Sequence, residues 1–84
     1  MVFPTEPVTL KLDDVRALNE RLALMRHDIN NHVTLIIAAV ELMRVKPQTT
    51  ERWMVTLAEQ PAKIVESIRK FSAEFEQAMG IKKS

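Results

Sequence analysis

Five polar residues interrupt an otherwise amphipathic stretch: His27, Asp28, Asn30, Asn31 and His32. A neutral imidazole, with a reference pKa near about 6.5, is a nucleophile at physiological pH and can attack a phosphoryl group without a strong base. His27 is the candidate for that chemistry. Asn30 and Asn31 are poor helix formers at adjacent positions, where Ala or Glu would be more stable, so helix stability alone does not explain the cluster. Each residue also has a plain alternative. An exposed histidine is usually only a surface residue, Asp28 can pair with Arg26, Arg21 or the second helix, and Asn31 can be solvated. His32 reads as a hydrogen-bonded packing residue. The two histidines are five apart rather than the three or four of a helical metal pair, so a metal site is rejected.

The order His27-Asp28-x-x-Asn31-His32, followed by the aliphatic Val33, resembles the phosphoacceptor box of two-component sensor histidine kinases. It is most similar to the branch that includes quorum-sensing kinases and the sporulation phosphotransferase. The resemblance implies a dimerisation and histidine phosphotransfer domain. In it His27 is the phosphoacceptor, Asp28 its acid/base partner, and Asn31 the amide that orients water for phosphatase action. The implied partners are a second copy of the chain, the receiver domain of a response regulator carrying its own Mg²⁺, and a separate kinase or ATPase domain. No cofactor is expected on this chain. Its only glycine is Gly80, which leaves no glycine-rich loop for nucleotide phosphates, so autophosphorylation by ATP is not expected. Many kinases of the family carry proline five residues after the phosphoacceptor, where this chain has His32. The usual kink of the first helix is therefore not expected.

The elements that must position these groups are legible from periodicity. Pro4 and Pro7 mark an extended lead over residues 1–8, Pro47 a turn, and Gly80 a stop before a polar tail over 81–84. Between them, residues 9–80 read as one helical unit. Val15, Leu18, Leu22, Met25, Ile29, His32, Ile36, Ala39 and Met43 step by three and four, predicting a helix over about 13–45 capped by Thr9, Asp13 or Asp14. Met54, Leu57, Pro61, Ile64, Ile68, Phe71, Phe75 and Ala78 repeat the pattern, predicting a second helix over about 50–79, with a bend at Pro61. A short turn makes them antiparallel neighbours, so the expected fold is all-α, a two-helix hairpin.

A helix of roughly 33 residues is about 50 Å long, and two such rods do not make a globule. Leu24, Val33, Leu35, Ile37, Val40, Leu42, Trp53, Val55 and Val65 are apolar outside the seam, which predicts pairing into a four-helix bundle homodimer. Its expected core is Ile29, Ile36, Ile64, Ile68 and Phe71. With Leu22 and Ile29 on the seam, His27 faces outward. Asn31 and Thr34 share that face, about 40° to one side and about 20° to the other. The outward positions toward the turn predict a receiver-docking surface of Asn30, Thr34, Ile37, Ala38 and Glu41. The competing reading is a helical dimerisation or scaffold module with no phosphotransfer.

Composition sets wider bounds. The 84 residues allow one small domain, and 12 basic against 11 acidic side chains give a net charge of +1, too weak a field to favour nucleic acid or an anionic membrane. There is no cysteine, which fits a reducing compartment. The N-terminus has no signal-peptide pattern, and the most apolar run, Val33 to Val40, is far short of a bilayer span. A soluble, cytoplasmic protein is expected.

Overall fold

The structure is a computed structural model and describes residues 2–81. It is all-helical: α1 spans Leu12–Val45, a single 3-10 turn spans Pro47–Thr49, and α2 spans Thr50–Met79. Each boundary has a local cause. At the start of α1, the Asp14 carboxylate reaches back one turn and accepts a hydrogen bond from the Lys11 backbone N–H at 3.1 Å. Asp13 and Asp14 also place negative charge at the positive end of the helix dipole. Helix α1 thus begins one residue before the expected Asp13, with Lys11 rather than an Asp or Thr at the capping position.

At the far end, Lys46 leaves helical geometry at φ −126° and ψ 77°, because Pro47 crowds the residue before it out of the α region. Thr49 and Thr50 then donate their hydroxyls to the Lys46 and Pro47 carbonyls, each at 2.7 Å. Each of these carbonyls also accepts the backbone N–H of the same threonine, so the hydroxyls are second donors that tighten the turn. Helix α2 runs through Pro61 as one element. It ends where Gly80 adopts φ 70°. The Ile81 N–H donates to the Glu76 carbonyl at 2.8 Å and the Gly80 N–H to the Gln77 carbonyl at 3.4 Å, a Schellman termination that requires the left-handed residue. Of the polar tail read from the sequence, residues 82–84 lie outside the described residues.

The two helices lie against each other along most of their length. Arg21 meets Glu74 in an ion pair with Nε to Oε2 at 3.4 Å. His32 meets Gln60, and Asp14, Ala17 and Leu18 share a groove with Glu74 and Ala78. On α1 the inward residues are those the periodicity predicts, from Leu18 through Met43, except that Val15 is 48% exposed and Leu42, expected outside the seam, is half-buried. On α2 the inward row is different. Trp53, Leu57, Gln60, Ile64, Ser67, Phe71, Glu74 and Ala78 are half-buried or buried, while Met54, Pro61, Ile68 and Phe75 stay exposed. Only the Leu57, Ile64, Phe71 and Ala78 row belongs to both the predicted and the observed seam. Apolar spacing picks out one flank of that row, and the chain packs the other, more polar flank against α1.

Among the described residues, only Ala39 and Gln60 are fully buried. The Cα radius of gyration is 18.1 Å and the extents are 59 × 28 × 12 Å, against a radius of about 12 Å for a compact chain of this length. Accessible area totals 6702 Å², where compact monomers of this mass expose about 5,100 Å². The extended lead accounts for part of this excess. Much of the rest is apolar: Leu24, Val33, Leu35, Ile37, Val40, Val65 and Ile68 are all exposed. Among the described residues no helix is long and apolar enough to cross a membrane.

Candidate functional site: the outer face of α1

His27 lies just before the middle of α1, on the side turned away from α2, and is exposed. Its environment is set by helical spacing. Asn31, one turn on, brings its side-chain nitrogen to 3.3 Å from His27 Nε2. An amide NH₂ only donates, so Nε2 is the acceptor and the neutral ring carries its proton on Nδ1. The Nε2 lone pair therefore points along the outer face, held by a contact that a side-chain rotation of Asn31 releases.

Asp28 follows His27 by about 100° of helical rotation and is directed elsewhere. It lies at the edge of a shallow groove between the helices, lined also by Arg21, Met25, Lys70, Phe71 and Glu74. Among the described residues no hydrogen bond joins Asp28 to His27. The sequence places Asp28 close enough for a local interaction with the imidazole. In this structure, what Asp28 offers His27 is the field of an adjacent charge rather than a direct bond. Lys70 on α2 shares the groove and supplies the opposite charge.

The face that continues from His27 toward the turn is open. Asn30, Thr34, Ile37, Ala38 and Glu41 are all exposed, Ile37 at 63%. Ile37 is therefore not covered by its own α2. Glu41 is tied to Arg44 one turn on, with Nε donating at 3.2 Å, and its carboxylate holds the Arg44 guanidinium above its ordinary pKa. Such an exposed pair contributes little to stability, but it fixes a charge pattern at the far end of the face.

His32 belongs to a different environment. It is half-buried on the seam, where its Nδ1 lies 2.8 Å from the Gln60 side-chain oxygen. That oxygen only accepts, so Nδ1 is the donor. The Gln60 amide nitrogen in turn donates to the Thr56 carbonyl at 2.9 Å, so the buried amide is satisfied at both ends. Gln60 escaped the sequence reading because a polar residue on α2 carries no periodic signal, and its partner is 28 residues away. The one local cue is its position immediately before Pro61.

Among the described residues no group of three or more His, Asp or Glu side chains converges as metal ligands would. No protein-family model, curated protein or solved structure matches this chain.

Proposed function

We infer that this chain is a histidine phosphotransfer module of two-component signalling, with His27 passing a phosphoryl group to or from an aspartate on a receiver domain. The observation that carries the reading is the exposed His27 ring, whose Nε2 is paired only with the exposed amide of Asn31. In the forward step the Nε2 lone pair attacks phosphorus of the receiver's aspartyl phosphate. An N–P bond forms, the P–O bond to the aspartate breaks, and the carboxylate leaves with the electron pair. The ring keeps its Nδ1 proton and becomes cationic, and the adjacent Asp28 carboxylate stabilises that charge through space. Reversal of the same step charges the receiver, whose Mg²⁺ neutralises the acceptor oxygens. Asn31, freed from Nε2, is positioned to orient a water toward a docked aspartyl phosphate.

The assembly belongs to the same reading. Two antiparallel hairpins pairing as a four-helix bundle would cover the apolar residues that a single chain leaves exposed. The excess accessible area of one chain, about 1,600 Å², exceeds the about 800 Å² that each partner contributes to a standard protein interface. The docking surface for the receiver is the open face from Asn30 to Glu41. A cytoplasmic setting follows from the reaction, since receivers and their kinases are intracellular.

The test is direct. A receiver charged with acetyl phosphate is incubated with the chain, and acid-labile, base-stable phosphate is sought on it by mass spectrometry. Transfer to the wild type and not to His27→Ala is expected. The rival reading, a helical scaffold without phosphotransfer, draws on the missing Asp28–His27 bond. It requires that the wild type remain unlabelled while still forming dimers by light scattering at micromolar concentration.

A further inference from the structure

Helix α2 carries two faces that compete for α1. Both contain the row Leu57, Ile64, Phe71 and Ala78. On one side of that row, displaced by about 40°, lie Trp53, Gln60, Ser67 and Glu74; on the other, displaced by about 60°, lie Met54, Pro61, Ile68 and Phe75. Apolar burial alone favours the second flank, since Met, Pro, Ile and Phe remove more hydrocarbon from water than Trp, Gln, Ser and Glu. The structure packs the first. Met54 remains 52%, Ile68 46% and Phe75 38% exposed.

Two polar contacts exist only when the first flank faces α1. One is the Arg21–Glu74 ion pair, whose side chains are 55% and 34% exposed. A surface pair of this kind is too weak to choose a face. The other is the His32–Gln60 hydrogen bond, in which Gln60 is 1% exposed. Rotating α2 by about 50° would bring the second flank inward, and His32 would then lose its acceptor. The seam offers no replacement, because the outer α2 row at that level is Pro61, which has no side-chain acceptor.

We propose that His32 and Gln60 form a face-selecting latch: their hydrogen bond sets the rotation of α2, holding the polar flank inward and leaving the Met54–Phe75 flank exposed. The pair selects one packing over another and does not supply the bulk of the stability, as buried polar residues do when they specify register in helical assemblies. The inference is independent of any chemistry at His27.

The chain has a single tryptophan and no cysteine, so the two flanks can be read separately. Trp53, on the polar flank, reports through acrylamide quenching. Ser67→Cys, on the same flank, reports through thiol labelling. In the double variant His32→Ala/Gln60→Ala, which removes both polar groups without adding hydrocarbon to the first flank, helix content by circular dichroism is expected to be kept. Quenching of Trp53 should rise about twofold and labelling at position 67 about tenfold as α2 turns. The double variant His32→Gln/Gln60→His keeps a donor and an acceptor facing each other, and should show the parent's protection. A helical His32→Ala/Gln60→Ala protein with parental quenching and labelling would overturn the proposal. So would loss of its helices, because a latch that only selects a face is not needed for folding. Parental protection lost in the swapped variant as fully as in the Ala variant would overturn it too.

Discussion

Two histidines stand five residues apart on one helix and live in opposite surroundings. His27 faces out, with its Nε2 lone pair held by a neighbour one turn away on the same helix. His32 faces α2, with its Nδ1 proton held by a buried amide 28 residues along the chain. The five-residue step turns a helix by about 140°, and that rotation alone separates an exposed ring from one held on the seam as a donor. In each contact the partner's chemistry sets the role of the ring nitrogen, Nε2 accepting at His27 and Nδ1 donating at His32. At His27 the partner is exposed; at His32 it is buried.

The comparison can be broken most sharply at the outer ring. His27→Ala should abolish phosphoryl transfer, measured as acid-labile phosphate, while urea unfolding shifts by no more than about 0.5 kcal/mol, the usual range for an exposed position. A comparable loss of stability at His27 and at His32 would mean that the two rings are not as different as their surroundings indicate. Ala38→Arg comes next. Ala38 is exposed on the proposed docking face, and Arg is well tolerated in helices, so receiver-dependent transfer should fall by at least tenfold with light scattering unchanged. Unchanged transfer in that variant would locate the receiver elsewhere.

At the inner ring the effect is on stability. Gln60→Ala removes the acceptor for His32 and the donor for the Thr56 carbonyl, and leaves a buried polar group unpaired at a cost of about 1–3 kcal/mol. For a chain of this size that corresponds to a fall in Tm of about 4–8 °C per kcal/mol. The smallest effect is expected at Asn31. Asn31→Ala exposes Nε2 permanently, so transfer to His27 should be kept or rise up to about twofold, whereas dephosphorylation of a charged receiver should be lost. A fall in transfer instead would show that Asn31 assists the attack rather than merely occupying the lone pair.

How much of this was readable beforehand differs between the two helices. The end of α1 before Pro47, the run of α2 to Met79 and the stop at Gly80 were legible because proline and glycine act through local backbone geometry. The outward placement of His27 and its reach to Asn31 follow from spacing within one helix. The α2 seam was only half legible. Apolar periodicity finds Leu57, Ile64 and Phe71, but it then adds Ile68 and Phe75 instead of Gln60 and Glu74, whose partners His32 and Arg21 lie on the other helix. An amide that is buried because of a distant imidazole leaves no trace in its own neighbourhood. Asp28 shows the same limit, since the groove it lines with Lys70 exists only because of how α2 lies.

The tight turn at Pro47–Thr49 also orders the pairing in time and in strength. Contacts next to it close short loops, whereas each pairing further along closes a longer one. The loop between Arg21 and Glu74 is nearly twice the 28-residue separation of His32 and Gln60, an entropic difference of about 0.6 kcal/mol. The helices therefore behave as a zipper with its slider at the proline, fraying first at the end where Asp14 and Ala78 meet. His27 sits part-way along that zipper, on the open-end side of the His32–Gln60 bond, and amide protons there should exchange with solvent sooner than those around Ala39.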